Sequence, residues 1–353
     1  MTVFVTGVGF IGGHVVRDLV AAGEKVVLFG YLGGNGDPSA PAPELEYIHD
    51  LIDGNSRDLV EVEIGDVGDL DAMTGAAERH GARSIMHFAT MLSAGAEASP
   101  WLATRVNVMG TANVFETAAR LAMEKVVWCS SNSVFGPRSV DEDGRLTDDS
   151  VFDPEWTYGA AKLMGEKLAV AYANKYGLNI TGIRPGRTYG FGEHVKLTRG
   201  GGSSWLNNLL YKPVVTNEPC VVPFGSRKLD FLYVEDLAAG MVKALRYQDP
   251  NGAGSYLIGG DYRPVAEAVE FVRALLPEAS ITLDDADLEL VPGSTLGFSR
   301  KGDWARANAD FGYEAKHHME AGVFRTVNQY RKLVDLPPLA EPEVARLNST
   351  AAI

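Results

Sequence analysis

The chain has 353 residues, 46% of them hydrophobic and 22% charged, and carries a formal net charge of −14 at pH 7. That length allows one large or two modest domains with sizeable cores, and the composition is that of an ordinary globular protein. So negative a chain, with no run of lysine or arginine, is expected to bind neither nucleic acid nor an anionic membrane surface.

No segment reaches the roughly 18 uncharged apolar residues that a membrane span requires. The apolar stretch at residues 2 to 16 lacks the basic leader and the small-residue cleavage site of a secretion signal. The only cysteines are Cys129 and Cys220, without a CxxC pair or histidines at metal-ligand spacing, so the expectation is a reduced, cytoplasmic, metal-free protein.

In chain order, a strand is predicted at Val3 to Val5, then a helix from Phe10 to Ala22 with Ile11, Val15 and Leu19 on one face. Strands follow at Lys25 to Phe29 and Glu61 to Ile64, a helix at Leu70 to His80, and a strand at Ser84 to Phe88. A long helix from Leu102 to Met123 leads to a strand at Val126 to Ser130, and a helix from Tyr158 to Tyr176 leads to one at Ile180 to Arg184. Strands apolar on both faces and separated by helices predict a doubly wound α/β domain, its parallel sheet covered on both sides.

After Arg184 the text becomes glycine-rich and irregular, including "RGGGSSW" at 199 to 205, before strand and helix patterns resume. The division predicted is a dinucleotide-binding domain of residues 1–186 plus about 226–262, and a substrate-binding lobe of about 187–225 plus 263–335. Residues 336–353 read as an extended tail.

Gly7-Val8-Gly9-Phe10-Ile11-Gly12 lies where the first strand gives way to the first helix. In such a loop the first glycine permits a tight turn and the second lets backbone amides approach a pyrophosphate. The third lets the helix pack closely on the strand, whose helix N-terminus offers unpaired N–H groups to the anion. The second strand ends at Gly30 without the carboxylate that ordinarily takes the adenosine ribose, leaving Asp37 as a possible substitute. No lysine or arginine stands between Val26 and Ser56 to receive a 2′-phosphate, which tilts the expected cofactor from NADP toward NAD. Asp66, ending the third strand, reads either as an acceptor for the adenine amino group or as a solvated turn residue.

Tyr158 and Lys162 stand four apart, on one face of a helix. A tyrosine titrates near 10, and a neighbouring ammonium favours its phenolate, so the pair can exchange a proton with a substrate hydroxyl. "WCSSNSVFGP" places small hydroxyl residues at the end of an apolar strand, where one can fix a substrate oxygen.

Together, TGxGFIG at 6 to 12, "HFAT" at 87 to 90, "NVMGTANV" at 107 to 114, "SSNSVFG" at 130 to 136, "YGAAK" at 158 to 162 and "RPGRTYG" at 184 to 190 resemble the extended short-chain dehydrogenase/reductase family, over about residues 2 to 315. The resemblance implies a Rossmann fold, catalytic roles for Ser131, Tyr158 and Lys162, and a proton-relay role for Asn107 through a helix distortion and a water. It also implies cofactor contacts at Gly7, Gly9, Phe10, Ile11, Gly12, Gly30, Asp66, Val67, Phe88, Ala89, Thr90, Tyr158, Lys162 and Pro185. Substrate contacts would come from Ser131 and Asn132, and the family leads us to expect a homodimer formed through the helices around 102 to 123 and 158 to 176.

The chain departs from the family in three places. Its glycine loop is one residue shorter than the usual GxxGxxG. Arg187 and Leu229 stand where members acting on nucleotide sugars carry an asparagine and an arginine. "MLSAGAEASP" at 91 to 100 is similar to the short-chain type of L-threonine dehydrogenase, which makes Ser93 a candidate substrate contact. Arg187 reads either as a fork for a substrate carboxylate or as a buried arginine paired with an acid.

Three readings follow. The leading one is a nicotinamide-dependent oxidoreductase acting on a secondary alcohol or ketone of a small polar, carboxylate-bearing or sugar-like substrate. The others are a nucleotide-sugar epimerase or dehydratase with tightly held NAD, and a non-catalytic dinucleotide sensor. His87 reads as a core histidine, and His317 with His318 as a polar helix face.

Overall fold

The computed structural model describes residues 1–31, 43–195, 204–285 and 300–342. Asp37, the glycine-rich text at 199 to 203 and the tail beyond 342 lie outside the described residues.

The first half runs β1 Thr2–Thr6, α1 Phe10–Ala21, β2 Lys25–Gly30, α2 Pro43–Leu51, β3 Val60–Ile64, α3 Leu70–Arg79, β4 Ser84–His87, α4 Ser93–Ala98, α5 Pro100–Ala103, α6 Gly110–Arg120 and β5 Lys125–Cys129. The second runs β6 Arg145–Leu146, α7 Thr157–Tyr176, β7 Ile180–Pro185, β8 Arg187–Tyr189, α8 Ser204–Tyr211, β9 Cys220–Val222, β10 Lys228–Tyr233, α9 Val234–Arg246, β11 Ala253–Ile258, β12 Asp261–Pro264, α10 Val265–Leu275, β13 Ile281–Leu283, β14 Lys301–Gly302, α11 Ala305–Phe311 and α12 Met319–Leu333.

A seven-stranded parallel sheet in the order β11-β7-β5-β4-β1-β2-β3 forms the frame. Its central strands are buried on both faces, so alternate residues enter opposite cores. Val3 and Val5 pack with α1 and α9 on one side, while Phe4 points to the other with Ile85, Val126 and Trp128. The chain moves outward from β1 to β3 and then restarts at β4 in the other direction. The crevice between β1 and β4, at their carboxyl ends, is therefore where a doubly wound sheet takes its ligand.

The predicted helix from Leu102 to Met123 is interrupted. A π-helical turn spans Thr104–Met109 between α5 and α6, which is the distortion the family resemblance led us to expect at Asn107. Helices α2 and α4 are not among the elements expected from the sequence.

The smaller lobe is built around the sheet β12-β10-β8, covered by α10 and α12, with the pair β13-β9 beside it. Strand β10, which the sequence rhythm assigns to the dinucleotide domain, pairs here with β8 and β12 instead. Helix α9, which follows it, returns to pack on α1.

Candidate active site

Three residues carry the chain from β1 into α1. Gly7 turns at φ 80°, and a Cβ there would sit 2.1 Å from the Ala89 nitrogen. A Cβ at Gly12 would meet the Gly7 carbonyl oxygen at 2.8 Å, whereas one at Gly9 would meet nothing within 4 Å. The first and third glycines thus close the turn against β4, and the second opens onto free space. Gly9 caps α1 without a side-chain hydrogen bond and no acid occupies the first turn, so the exposed amides form a cradle of the right sign for a pyrophosphate. The shorter glycine loop still fits the group that its motif implies.

That cradle opens into a cavity of about 770 Å³. Gly7, Gly9, Phe10, Ile11 and Gly12 line one end; Gly30, Asp66, Val67, Phe88, Ala89 and Thr90 continue the wall, and Ser93, Ser131, Asn132, Tyr158, Pro185 and Arg187 reach the other end. Lys162 and Asn107 sit behind this lining, 2% and 1% exposed. Asp66 lines the cavity and is partly buried. Its Oδ1 accepts from the Gly68 amide at 2.8 Å, and its Oδ2 is bridged by Arg105 and approached by the Tyr31 hydroxyl. Arg105 enters from the π turn, far in sequence from the β2 end where a cation was sought.

Tyr158 lies in the first turn of α7 and lines the cavity together with Ser131. A Cβ at Gly159 would fall 2.1 Å from the Ser133 carbonyl oxygen, so only glycine there lets the helix approach the 131–134 loop this closely. Ser131 Oγ also accepts from the Ser133 amide at 3.0 Å. Ser130 faces the opposite way, fully buried, and donates to Glu166 at 2.7 Å, which separates the cavity-facing serine from its structural neighbour. Lys162 Nζ donates to the Cys129 carbonyl at 2.7 Å and lies 5.6 Å from the Tyr158 ring centroid. Burial pushes the Tyr158 phenol well above its ordinary range, opposed by the Ser131 hydroxyl, and brings Lys162 down to about 8. In this desolvated pair a further positive charge at the phenol is what would favour phenolate.

Asn107 lies in the π turn, and its side chain spans the loop after β4. Its Oδ1 accepts from the Met91 amide at 2.7 Å and from Thr90 at 3.1 Å, and its Nδ2 donates to the Met91 carbonyl at 3.0 Å. The amide is spent on that loop rather than on Lys162, and the Asn107 carbonyl accepts from the Thr111 hydroxyl at 2.8 Å.

Arg187 lines the cavity, its side chain 21% exposed. Its guanidinium pairs with Glu193 at 2.6 Å and donates to the Thr188 carbonyl, so its charge is already balanced. His87 is a core histidine held by Thr6 and Thr111, at 2.6 and 3.1 Å, and driven down to about 3 by burial and then by Lys162. His317 and His318 are not a plain polar face: they sit at the start of α12, against Asp236 at 2.8 Å and Asp261 at 3.4 Å.

The substrate end also contains Trp156, Trp205, Asp230 and Arg300, none of which the sequence singled out. Asp230 accepts from the Gly260 amide at 2.7 Å, and burial raises its carboxyl to about 7. Arg300 is half-buried, with its Nε enclosed and no hydrogen-bond acceptor for it among the described residues. These groups come from segments up to 144 residues apart (Trp156 to Arg300) and share no local motif. Among the described residues no cluster of His, Cys, Asp and Glu could hold a metal, and no helix is long and apolar enough to cross a membrane.

Known proteins share this overall fold. The chain is 25% identical over 344 residues to the UDP-glucuronate 4-epimerase of Thermodesulfobacterium geofontis, covering 94% of this chain and 97% of that one. It superposes with a TM-score of 0.75 on the UDP-glucose 4-epimerase of Thermus thermophilus in complex with NAD, at 23% identity, covering 94% and 99% of the two chains. A partial-consensus L-threonine 3-dehydrogenase is matched with a TM-score of 0.74 at 20% identity, covering 94% and 100%. The profile of the NAD dependent epimerase/dehydratase family matches residues 3–259, spanning the glycine cradle, Ser131 and the Tyr158–Lys162 pair. With most of its length inside that match and the family's fold built around one cavity, the chain belongs to the NAD dependent epimerase/dehydratase family.

Proposed function

We propose that this protein is an NAD-dependent oxidoreductase that moves a hydride between nicotinamide and a secondary alcohol or ketone, with Tyr158 as the acid/base. The observation that carries the reading is that the glycine cradle, Ser131 and Tyr158 line one cavity, with Lys162 buried beneath, 5.6 Å from the Tyr158 ring. The Gly7 to Gly12 turn would hold the pyrophosphate, Asp66 the adenine, and Lys162 the nicotinamide ribose. NAD is favoured over NADP, as two structural relatives are in complex with NAD. When bound, NAD supplies hydride acceptance at its ring. The chain's own groups do the rest: Ser131 donates to the substrate oxygen, Tyr158 takes or returns its proton, and the Lys162 charge favours the phenolate. The substrate is small and polar, contacted by Ser93, Ser131 and Asn132.

Tyr158→Phe keeps the ring and loses the proton. We expect NAD affinity by calorimetry to stay within about twofold while turnover falls at least ~100-fold, the scale of lost acid/base catalysis. Undiminished turnover in this variant would refute the assignment.

A second reading, a nucleotide-sugar epimerase that returns the hydride to its substrate, is favoured by Arg300, a cation at the substrate end suited to a diphosphate. Against it stand Leu229 and the neutralised Arg187. Steady growth of reduced-nicotinamide absorbance with L-threonine, UDP-glucose or UDP-glucuronate selects the oxidoreductase. Conversion of a UDP-sugar without such growth, by protein that keeps NAD through gel filtration, selects the epimerase.

The working unit is a homodimer. Trp101 and Met109 are 76% and 52% exposed around the π turn, and Met164 and Val170 are each 47% exposed on α7, on the two helical segments through which the family resemblance implies dimer contact. The free thiols Cys129 and Cys220 fit a reducing cytoplasm.

A further inference from the structure

We propose that Glu97 is a positioning residue that fixes Tyr158 by capping the helix that carries it. Helix α7 begins without a cap of its own: the side chain of its N-cap residue, Trp156, does not cap the first turn, and that turn contains no acid. The Thr157 amide, the first of the helix, instead donates to Glu97 Oε1 at 2.7 Å, across 60 residues of sequence. An anionic acceptor on a helix's first N–H is a strong, charge-assisted bond placed at the positive pole of the helix. Tyr158 is the next residue, so where the first turn sits decides where the phenol sits.

The carboxylate is itself held in place. Glu97 belongs to α4, whose Ala96 packs in one apolar cluster with Met91, Ala103 and Tyr158. At the near end of the same segment Asn107 grips the Met91 main chain with both side-chain atoms. Residues 91 to 97 are thus pinned at one end to the π turn and at the other to α7, and Ser93, Ala94 and Gly95 between them line the substrate end of the cavity. One short segment walls the substrate space and also sets the acid/base beside it. Without Glu97 the first turn would rely on the Ser131 contact and on Gly159 packing, both of which need that turn to be formed already.

The inference rests on Tyr158 being the acid/base, and the test separates the two. Glu97→Ala removes the acceptor; Glu97→Gln keeps an acceptor oxygen of the same reach; Thr157→Pro removes the donor, at a first-turn position that tolerates proline, after a Trp156 whose φ of −130° and ψ of 161° suit a pre-proline residue. Crystal structures of the NAD complexes are expected to show the Tyr158 hydroxyl displaced from Ser131 in Glu97→Ala and in place in Glu97→Gln. Turnover on whichever panel substrate the wild type uses is expected to fall about 10- to 100-fold in Glu97→Ala and in Thr157→Pro. It should fall no further in the double variant and be largely restored in Glu97→Gln, with NAD affinity within about twofold throughout. A Glu97→Ala structure with Tyr158 still on Ser131 overturns the proposal, as do equal losses in Glu97→Ala and Glu97→Gln. If instead Tyr158→Phe retains full turnover, the acid/base assignment fails while the structural arm still reports on the cap.

Discussion

At the scale of single residues, three glycines in one loop do different work, and their surroundings predict different failures. Gly7 has a left-handed φ and the Ala89 backbone against the place of its missing Cβ, so Gly7→Ala should cost more than ~2 kcal/mol in urea unfolding. Gly9 faces open cavity. Gly9→Ala should leave stability within about 0.5 kcal/mol and yet weaken NAD binding at least tenfold, because the methyl would occupy the space where a pyrophosphate approaches. A Gly9→Ala protein with unchanged NAD affinity would show that the diphosphate lies elsewhere. The pairing of Arg187 with Glu193 belongs to the same scale. The residue type announced a carboxylate fork, but the carboxylate it meets is the protein's own.

At the scale of elements, α7 is fixed at two heights. Glu97 meets its first turn, and about two turns further Gly165 rests on Trp128 while the adjacent Glu166 carboxylate takes two hydrogen bonds from Arg184 of β7, at 2.8 and 2.7 Å, and one from Ser130. Both partners of that ion pair are about 5% exposed. Burying a charge is costly unless its partner stays, so Glu166→Ala should destabilise the protein by about 3–5 kcal/mol in chemical denaturation. Because Ser130 also leans on Glu166, turnover should suffer along with stability. The π turn is the other element that decides function. It brings Asn107 onto Met91 and Arg105 onto Asp66, joining the loop after β4 to the end of β3 through one irregular helical turn.

At the scale of the whole molecule, the exposed Trp101, Met109, Met164 and Val170 are the apolar side chains that a second copy of the chain would cover. Sedimentation should find a dimer, and Trp101→Asp should shift it toward monomer; a monomeric wild type at micromolar concentration would end the idea. The sequence alone determined the parallel sheet, because strands buried on both faces leave continuous β-branched runs that nothing else explains. It also determined the glycine turn and the Tyr158–Lys162 spacing, since each is set by residues a few positions apart. Tertiary structure alone decided which acid caps α7, which cation reaches Asp66, what neutralises Arg187, and which distant groups, Asp230, Trp205 and Arg300 among them, complete the cavity. Those choices depend on segments brought together by the sheet order and the smaller lobe, and a contact between remote segments leaves no periodicity or local motif in either one.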